Sequence, residues 1–224
     1  MGRSGRSFVP NPLISKEEDP ERLLRLLADK LDDFDLINVA TALSQFGKLC
    51  GHRSFPRNIA ADDRFRRLMV RAVAMCGDGR LPARELANIM HALAKMSEAG
   101  KLTAADAGVQ DALMALEQRV VCVASDMNPQ HVSNTVYGLA LLGRMPGAEA
   151  RAALETAVVR VGLGMNGQDV ANIWWAYATL ERETEAEVRA ALEVAVVRVG
   201  PRMKPQGVVK YLVGVREAGS GAGG

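Results

Sequence analysis

The sequence predicts an all-α fold, an α-solenoid of about five antiparallel helix pairs, and two observations support this. The first is repetition: residues 152–170 return 38 positions later as residues 190–208, identical at 13 of 19 positions, and residues 114–132 match the middle copy at 10. Repetition at this period is the signature of a solenoid, in which each unit stacks on its neighbours. The second is a composition that is 48% hydrophobic but only 4% aromatic, as in packed helices. We expect a right-handed superhelix.

The first segment, residues 1–16, is expected to form a flexible arm ahead of the repeats. It contains three basic residues, three serines and no acid, a composition found in organelle transit peptides. Two prolines and two glycines interrupt any amphipathic helix there, so a disordered arm without a targeting role is the alternative.

The helical-repeat array is predicted over residues 17–217. Asp19 and Pro20 form an N-cap followed by proline at the first helical position, which starts a helix that runs to about Lys30. A second helix begins near residues 33–35 and stops at Gly47. This pair forms unit one, and four more units are predicted in the same way. The predicted units are residues 17–50, 57–97, 103–145, 146–183 and 184–217, followed by a disordered tail at 218–224.

Between units one, two and three, equivalent positions are more than 38 residues apart. The extra residues lie in polar linkers at 51–56 and 97–102. Unit two is predicted to hold helices at 59–76 and 82–96, and unit three helices at 103–124 and 129–142. In the two last units Leu154 and Leu192 each begin an i, i+3, i+4, i+7 apolar stripe, which predicts one buried face per first helix.

An asparagine recurs in the second helix of the first four units, with a small residue four positions later. A buried amide is costly unless its donors and acceptor are paired. We interpret these residues as a structural ladder in which each amide bonds to the backbone of a neighbouring unit, with direct RNA contact as the alternative. On this interpretation Asn134→Leu should lower the melting temperature. The four positions are Asn38, Asn88, Asn134 and Asn172.

Residues 127–146 and 165–180 carry a Gln shortly before an Asn, then an apolar helix rich in small and aromatic residues, with Leu-Gly and Pro closing the first segment. This pattern on a 38-residue period resembles the octotricopeptide repeat family. The resemblance covers about residues 16–216 and weakens in unit five, where Lys210 replaces the asparagine. It implies an RNA-binding superhelix in mitochondria or chloroplasts that stabilises, processes or helps translate transcripts.

Near the start of the second helices, the same position holds glutamine in three units: Gln130, Gln168 and Gln206. The next position differs in residue type between units, with His131 in one and Asp169 in another. The first turn of a helix has free backbone donors and a positive end, which suits phosphates or base edges. This rim either faces RNA or serves ordinary helix capping.

Arginines supply the other candidates for RNA contact. Arg151 and Arg189 are equivalent positions, and they lie half a turn out of phase with the column of Arg160 and Arg198, so at most one column faces RNA. A sharper patch has spacing i, i+3, i+7 on one predicted helix; phosphate contact and a merely solvated face are its two interpretations. The patch consists of Arg64, Arg67 and Arg71.

Of the aromatic residues, Trp174 shares a core stripe, whereas Trp175 points elsewhere and could stack on a base. The net charge of +2 limits RNA contact to local regions. The three cysteines suggest neither a disulfide framework nor a zinc site, and Cys50 and His52 alone are too few to bind a metal. No apolar run reaches the roughly 18 residues that a membrane span needs.

The sequence contains neither a recognisable catalytic constellation nor a Gly-rich phosphate loop, so we predict that the protein is not an enzyme and uses no cofactor, metal or small-molecule substrate. The leading hypothesis is an organellar factor that binds single-stranded RNA. One alternative is a structural subunit of a mitochondrial ribosome or other ribonucleoprotein, which contacts rRNA and ribosomal proteins. The other is a protein-binding scaffold.

Overall fold

The computed structural model describes residues 9–180 and 185–220, which form eleven α-helices and no β-strand. Short 3-10 turns join the two helices of several pairs. The helices are α1 (Asn11–Ser15), α2 (Pro20–Lys30), α3 (Leu36–Leu49), α4 (Asp63–Gly77), α5 (Ala83–Glu98), α6 (Ala107–Val123), α7 (Pro129–Leu141), α8 (Ala148–Val161), α9 (Gly167–Thr179), α10 (Ala186–Val199) and α11 (Pro205–Ser220).

The helices stack in two layers. The first helices of the units, α2, α4, α6, α8 and α10, contact one another in sequence, and the second helices, α3, α5, α7, α9 and α11, do the same. Each helix therefore packs mainly on the corresponding helix of the adjacent unit. The predicted all-α solenoid of five helix pairs is confirmed, while its right-handed superhelix stays a prediction.

The second helices contact one another more extensively than the first helices do. Small residues allow this close approach: a Cβ added to Gly138 of α7 would lie 2.8 Å from the Cγ of Met90 and 3.2 Å from its carbonyl oxygen in α5. When one layer of a two-layer stack is more closely spaced, the stack curves toward that layer. We infer that the array curves toward the second helices.

The apolar stripes predicted for α8 and α10 form the core between the layers. Leu154 and Val158 of α8 are buried, as are Leu192, Ala195 and Val199 of α10. Each fully buried aliphatic side chain of this size contributes roughly 1.5–3 kcal/mol relative to exposure. The buried stripe is therefore confirmed.

Side-chain caps fix where the second helices begin. Asn128 accepts a hydrogen bond from the backbone N–H of His131 at 2.9 Å, and Asn166 accepts one from that of Asp169 at 3.1 Å. In both cases the third helical residue reaches back to the backbone N–H of the cap, which completes a capping box. The N-caps predicted at Asn128 and Asn166 are confirmed.

Both ends of the chain are more ordered than the sequence suggested. The flexible arm predicted for residues 1–16 is wrong for residues 9–16, because Val9 and Ile14 are buried and α1 packs on α3. The disordered tail predicted for residues 218–224 is wrong for 218–220, which continue α11. Residues 1–8 and 221–224 lie outside the described residues.

Two helices start later than predicted because acidic residues fold the preceding segment into turns. Asp62 accepts a hydrogen bond from the backbone N–H of Arg64 at 2.9 Å, so α4 begins at Asp63 rather than at residue 59. Asp106 accepts from the backbone N–H of Thr103 at 2.7 Å, which makes residues 103–106 a turn before α6.

None of the described helices is both long enough and apolar enough to cross a membrane. In the same part of the chain, His, Cys, Asp and Glu side chains nowhere gather in a group of three or more that could hold a metal ion.

Candidate nucleic-acid interface

The basic patch predicted on α4 is bound to the protein itself. Arg64 donates hydrogen bonds to Glu21 at 2.9 Å and to Asp62 at 2.7 Å. These bonds from Arg64 are the main reason that the pKa values of Glu21 and Asp62 lie below their usual range. The Arg64 side chain therefore joins α4 to α2, and its charge is already neutralised.

Arg67 and Arg71 also contact unit one. The Nη2 atom of Arg71 donates to the carbonyl oxygen of Phe34 at 2.6 Å, and that of Arg67 lies 3.4 Å from a carboxylate oxygen of Asp32. Arg64 and Arg71 are therefore held against unit one, whereas Arg67 is exposed, and the contact of Arg64, Arg67 and Arg71 with phosphate stays a prediction.

The contact made by Arg71 recurs along the first-helix layer. In each case an arginine of one unit donates to the backbone carbonyl that directly precedes the N-cap of the previous unit's second helix. A buried carbonyl at a turn requires a donor, and a long guanidinium supplies one across the unit boundary. The pairs are Arg71 with Phe34, Arg119 with Leu81 (2.8 Å), Arg160 with Met127 (2.7 Å) and Arg198 with Met165.

The alternative arginine column also lies in the first-helix layer. Arg151 of α8 is half-buried, its Nε atom lies 3.8 Å from a carboxylate oxygen of Glu155, and it lines a small pocket with Met145 and Tyr177. Arg189 of α10 is exposed and has no hydrogen-bond or ion-pair partner among the described residues. Neither arginine belongs to the second-helix layer.

The second helices present a separate polar surface, which their caps place in common register. Residues 2, 6, 9 and 13 of a helix lie on one face, because they are four, three and four positions apart. We call the surface formed by these positions of α3, α5, α7, α9 and α11 the second-helix face. Position 2 holds Ile37, Arg84, Gln130, Gln168 and Gln206; position 6 holds Thr41, Asn88, Asn134, Asn172 and Lys210; position 9 holds Ser44, His91, Tyr137, Trp175 and Val213.

In this register Asn38 does not belong with the other asparagines. It is the third residue of α3, where it forms a capping box with Asp35, and its Nδ2 atom donates to the carbonyl oxygen of Val9 at 3.2 Å. Asn38 is therefore equivalent to His131 and Asp169. The N-cap at Asp35 was the sequence signal that could have corrected the alignment.

The amide ladder predicted for the remaining asparagines is also wrong at two positions. Asn172 is buried and its Nδ2 atom donates to the hydroxyl of Ser133 at 3.3 Å. Asn88 is exposed and Asn134 is half-buried, and neither amide has a hydrogen-bond partner among the described residues. The expected fall in melting temperature for Asn134→Leu therefore loses its basis.

The rim formed by the first turns contains capping residues and exposed glutamines. His131 and Asp169 close capping boxes; burial lowers the pKa of His131 and raises that of Asp169. Gln130, Gln168 and Gln206 are exposed at position 2. The capping interpretation therefore applies to His131 and Asp169, whereas the three glutamines face outward.

An aromatic and cationic cluster occupies the end of this face formed by α7, α9 and α11. The rings of Tyr137 and Trp175 have centroids 5.1 Å apart, and the Nζ atom of Lys210 lies 4.0 Å from the Tyr137 centroid. Lys210 was missed as a candidate, although it marks the position where the asparagine pattern ends. Trp174 is buried against Tyr211, so its assignment to the core is confirmed.

The same face continues onto α5 with His91 and Lys95. Burial is the main cause that lowers the pKa of His91, and the positive charges of Lys95 and Lys210 lower it further. The Nδ1 atom of His91 is buried without a hydrogen-bond partner in the described structure. Lys95 donates to Glu98, which raises the pKa of Lys95.

Comparison with known proteins adds no family assignment: no protein-family model matches this sequence, and no curated protein matches it at a significant level.

Proposed function

We propose that this protein binds single-stranded RNA along the second-helix face. The observation that carries the proposal is the state of the polar side chains there: the amides of Asn88 and Asn134 have no partner in the described structure, and an aromatic pair lies beside Lys210. Amides and aromatic rings are the groups that hydrogen-bond and stack with unpaired bases.

The charges of this face fit a polyanionic ligand. Lys48, Arg84, Lys95 and Lys210 are its basic residues, and the carboxylates near Arg84 and Lys95 are those with which these two residues pair. Because the net charge of the whole chain is +2, affinity for RNA should depend on few phosphate contacts. The proposed binding is therefore local and moderately sensitive to salt.

The inferred curvature also supports this face. Adjacent packed helices are about 8–10 Å apart, so five second helices present a strip roughly 40 Å long on the concave side. If each unit contacts about one base, as modular helical repeats can, the chain recognises about five nucleotides. Such a short sequence recurs often by chance, so we propose that the chain acts together with RNA-bound partners. The proposed role in RNA stability, processing or translation in mitochondria or chloroplasts is what the resemblance to octotricopeptide repeats implies.

A second candidate function, a structural subunit of an organellar ribosome or other ribonucleoprotein, is favoured by a different observation. The first-helix layer exposes large apolar side chains, including Val70 at 68%, Val194 at 55% and Val197 at 80%. Exposed apolar surface on the layer opposite the proposed RNA face suits contact with neighbouring proteins. In this role the chain would hold rRNA without reading its sequence.

Binding to a randomised pool of single-stranded RNA, measured over about 50–200 mM salt, tests these proposals. Enrichment of a sequence motif supports the leading proposal, and unselective binding with a steep salt dependence supports the ribonucleoprotein subunit. The absence of binding at low salt would contradict both and leave the protein-binding scaffold.

A further inference from the structure

We propose that Tyr137, Trp175 and Lys210 form a nucleotide-binding site in which a base stacks on Trp175 and the adjoining phosphate contacts the Nζ atom of Lys210. This inference rests on the proposed RNA binding and identifies where one nucleotide of the RNA is held. The site is built from three units, because its residues lie on α7, α9 and α11.

The position of the Lys210 ammonium is fixed by neutral groups. Its Nζ atom is 2.8 Å from the hydroxyl oxygen of Tyr137, 3.1 Å from Oδ1 of Asn172, and 6.0 Å from the Trp175 ring centroid. Asn172 is in turn held by Gln168, whose Nε2 atom donates to the same Oδ1 at 2.8 Å. The cation is thus oriented beside the aromatic pair rather than extended into solvent.

The charge of Lys210 has no counter-ion among the described side chains. The neighbouring cations differ in this respect, because Arg84 pairs with Glu85 and Lys95 with Glu98. An ammonium has three donors, and Tyr137 and Asn172 accept two of them. One donor and a full positive charge remain for an anion, and a phosphate of single-stranded RNA supplies both acceptor and charge.

Comparison of the repeat units indicates that Lys210 is not needed for packing. Position 6 is asparagine in α5, α7 and α9 and becomes Lys210 only in α11. Stacking of the units does not require a cation at this position, since the three preceding helices are built without one. The substitution places the cation next to Trp175, which is half-buried and leaves part of its ring accessible for stacking.

The chemistry of the site selects a nucleotide without selecting a particular base. Aromatic stacking accepts every base because each has a π-face, and an ammonium recognises the phosphate as a point charge. We expect the site to anchor the RNA, while sequence preference arises from the free amides at Asn88 and Asn134.

Tryptophan fluorescence provides a direct test, because Trp174 and Trp175 are the only tryptophans of the chain. In a Trp174→Phe variant all tryptophan emission comes from Trp175, and titration with a ten-nucleotide single-stranded oligouridylate should quench it. In the same background Trp175→Leu, which leaves no tryptophan and is therefore measured by filter binding, should weaken binding about tenfold, the order of magnitude of one lost base–aromatic stack.

The contact between phosphate and Lys210 is tested by salt dependence. Lys210→Gln should reduce the slope of log affinity against log salt by about 0.7, the value for one phosphate contact on a single strand, and Lys210→Arg should largely restore it. A merely structural role for Lys210 would change the melting temperature without changing this slope. Arg189→Gln, which removes an exposed cation from the first-helix layer, is the matched control and should leave the slope unchanged.

Two outcomes overturn the inference in distinguishable ways. If the oligouridylate binds without quenching Trp175 and with the same salt slope in Lys210→Gln, the site is refuted while the proposed RNA binding stands. If no single-stranded RNA binds to the unsubstituted protein at low salt, the proposed function and this site fall together.

Discussion

The two helix layers use polar side chains in opposite ways. In the first-helix layer Arg71 and Arg160 donate to carbonyl oxygens of the preceding unit, so each guanidinium is engaged inside the protein. In the second-helix layer Asn88 and Asn134 project from a regular helix with no partner among the described residues. In this repeat protein the hydrogen-bond partners of a polar side chain distinguish structural positions from candidate recognition positions.

The largest expected effect comes from breaking an arginine contact in the first-helix layer. Arg71→Met leaves the carbonyl of Phe34, a buried residue, without its charged donor. Hydrogen bonds to charged groups contribute about 1.5–3 kcal/mol, and we expect a loss of this size in the free energy of unfolding. Urea denaturation measures it. Arg189→Met is the control and should change stability by less than about 0.5 kcal/mol; equal losses in both variants would remove the distinction.

The second prediction tests the other layer. Replacing both Asn88 and Asn134 with alanine should weaken single-stranded RNA binding about tenfold, the equivalent of two modest hydrogen bonds. The melting temperature should stay unchanged or rise slightly, because alanine favours the helix and no internal bond is lost. Filter binding and thermal denaturation measure the two effects. A clear loss of stability would instead restore the structural interpretation of these amides.

The contribution of carboxyl groups to folding stability should also change with pH in opposite directions in the two layers. The pKa values of Glu21 and Asp62 are lowered, mainly by Arg64, so their contribution to stability is present above their unfolded values of 4.5 and 3.8 and is lost as the pH falls further. The pKa of Asp169 is raised by burial, so its contribution falls as the pH rises through the window above 3.8.

Single variants separate these two responses. Asp169→Asn removes a buried charge, so it should give a small gain in stability at pH 7 that disappears below the unfolded pKa of Asp169. The capping bond is kept, because the amide oxygen of asparagine can still accept it. Arg64→Met should instead reduce the loss of stability on acidification. Chemical denaturation between pH 3 and 7 would contradict the assignment if both variants shifted the curve in the same direction.

The fold could be predicted from the sequence because a solenoid repeats its packing at a fixed period. Caps such as Asp19 and Asn166 leave readable signals, and apolar stripes leave a helical period. The register of unit one could not be read by matching letters, since Asn38 resembles Asn134 in its neighbours but is a capping residue. Likewise α1 is too short to show a period.

The candidate site was harder to predict because hydrogen-bond partners leave no pattern in the sequence. The spacing of Arg64, Arg67 and Arg71 on one helix face is a correct observation, but the sequence does not reveal that carboxylates and carbonyls of unit one lie opposite. Lys210 illustrates the reverse case. As a departure from the repeat it looked like decay of the pattern, yet its contacts with Tyr137 and Asn172 place it in the most elaborate polar cluster of the second-helix face.

The smallest expected effect is an unchanged RNA affinity when a bulky group is attached to the first-helix layer. Cys122 of α6 is exposed in the first-helix layer, whereas Cys50 and Cys76 are buried and burial raises the pKa of Cys76 to about 11. A maleimide carrying a bulky group should therefore react first with Cys122 in the folded protein. Coupling at Cys122 should leave RNA affinity unchanged, because the label lies on the opposite layer from the proposed interface.

The matched variant moves the label to the second-helix face. In a Cys122→Ser background, Asn134→Cys with the same maleimide should block RNA binding while the unlabelled variant loses only part of its affinity. If the label at Cys122 blocks binding and the label at position 134 does not, RNA contacts the first-helix layer. The arginines there would then have to exchange their carbonyl partners for phosphates, and RNA binding would loosen the junctions between units instead of leaving them intact.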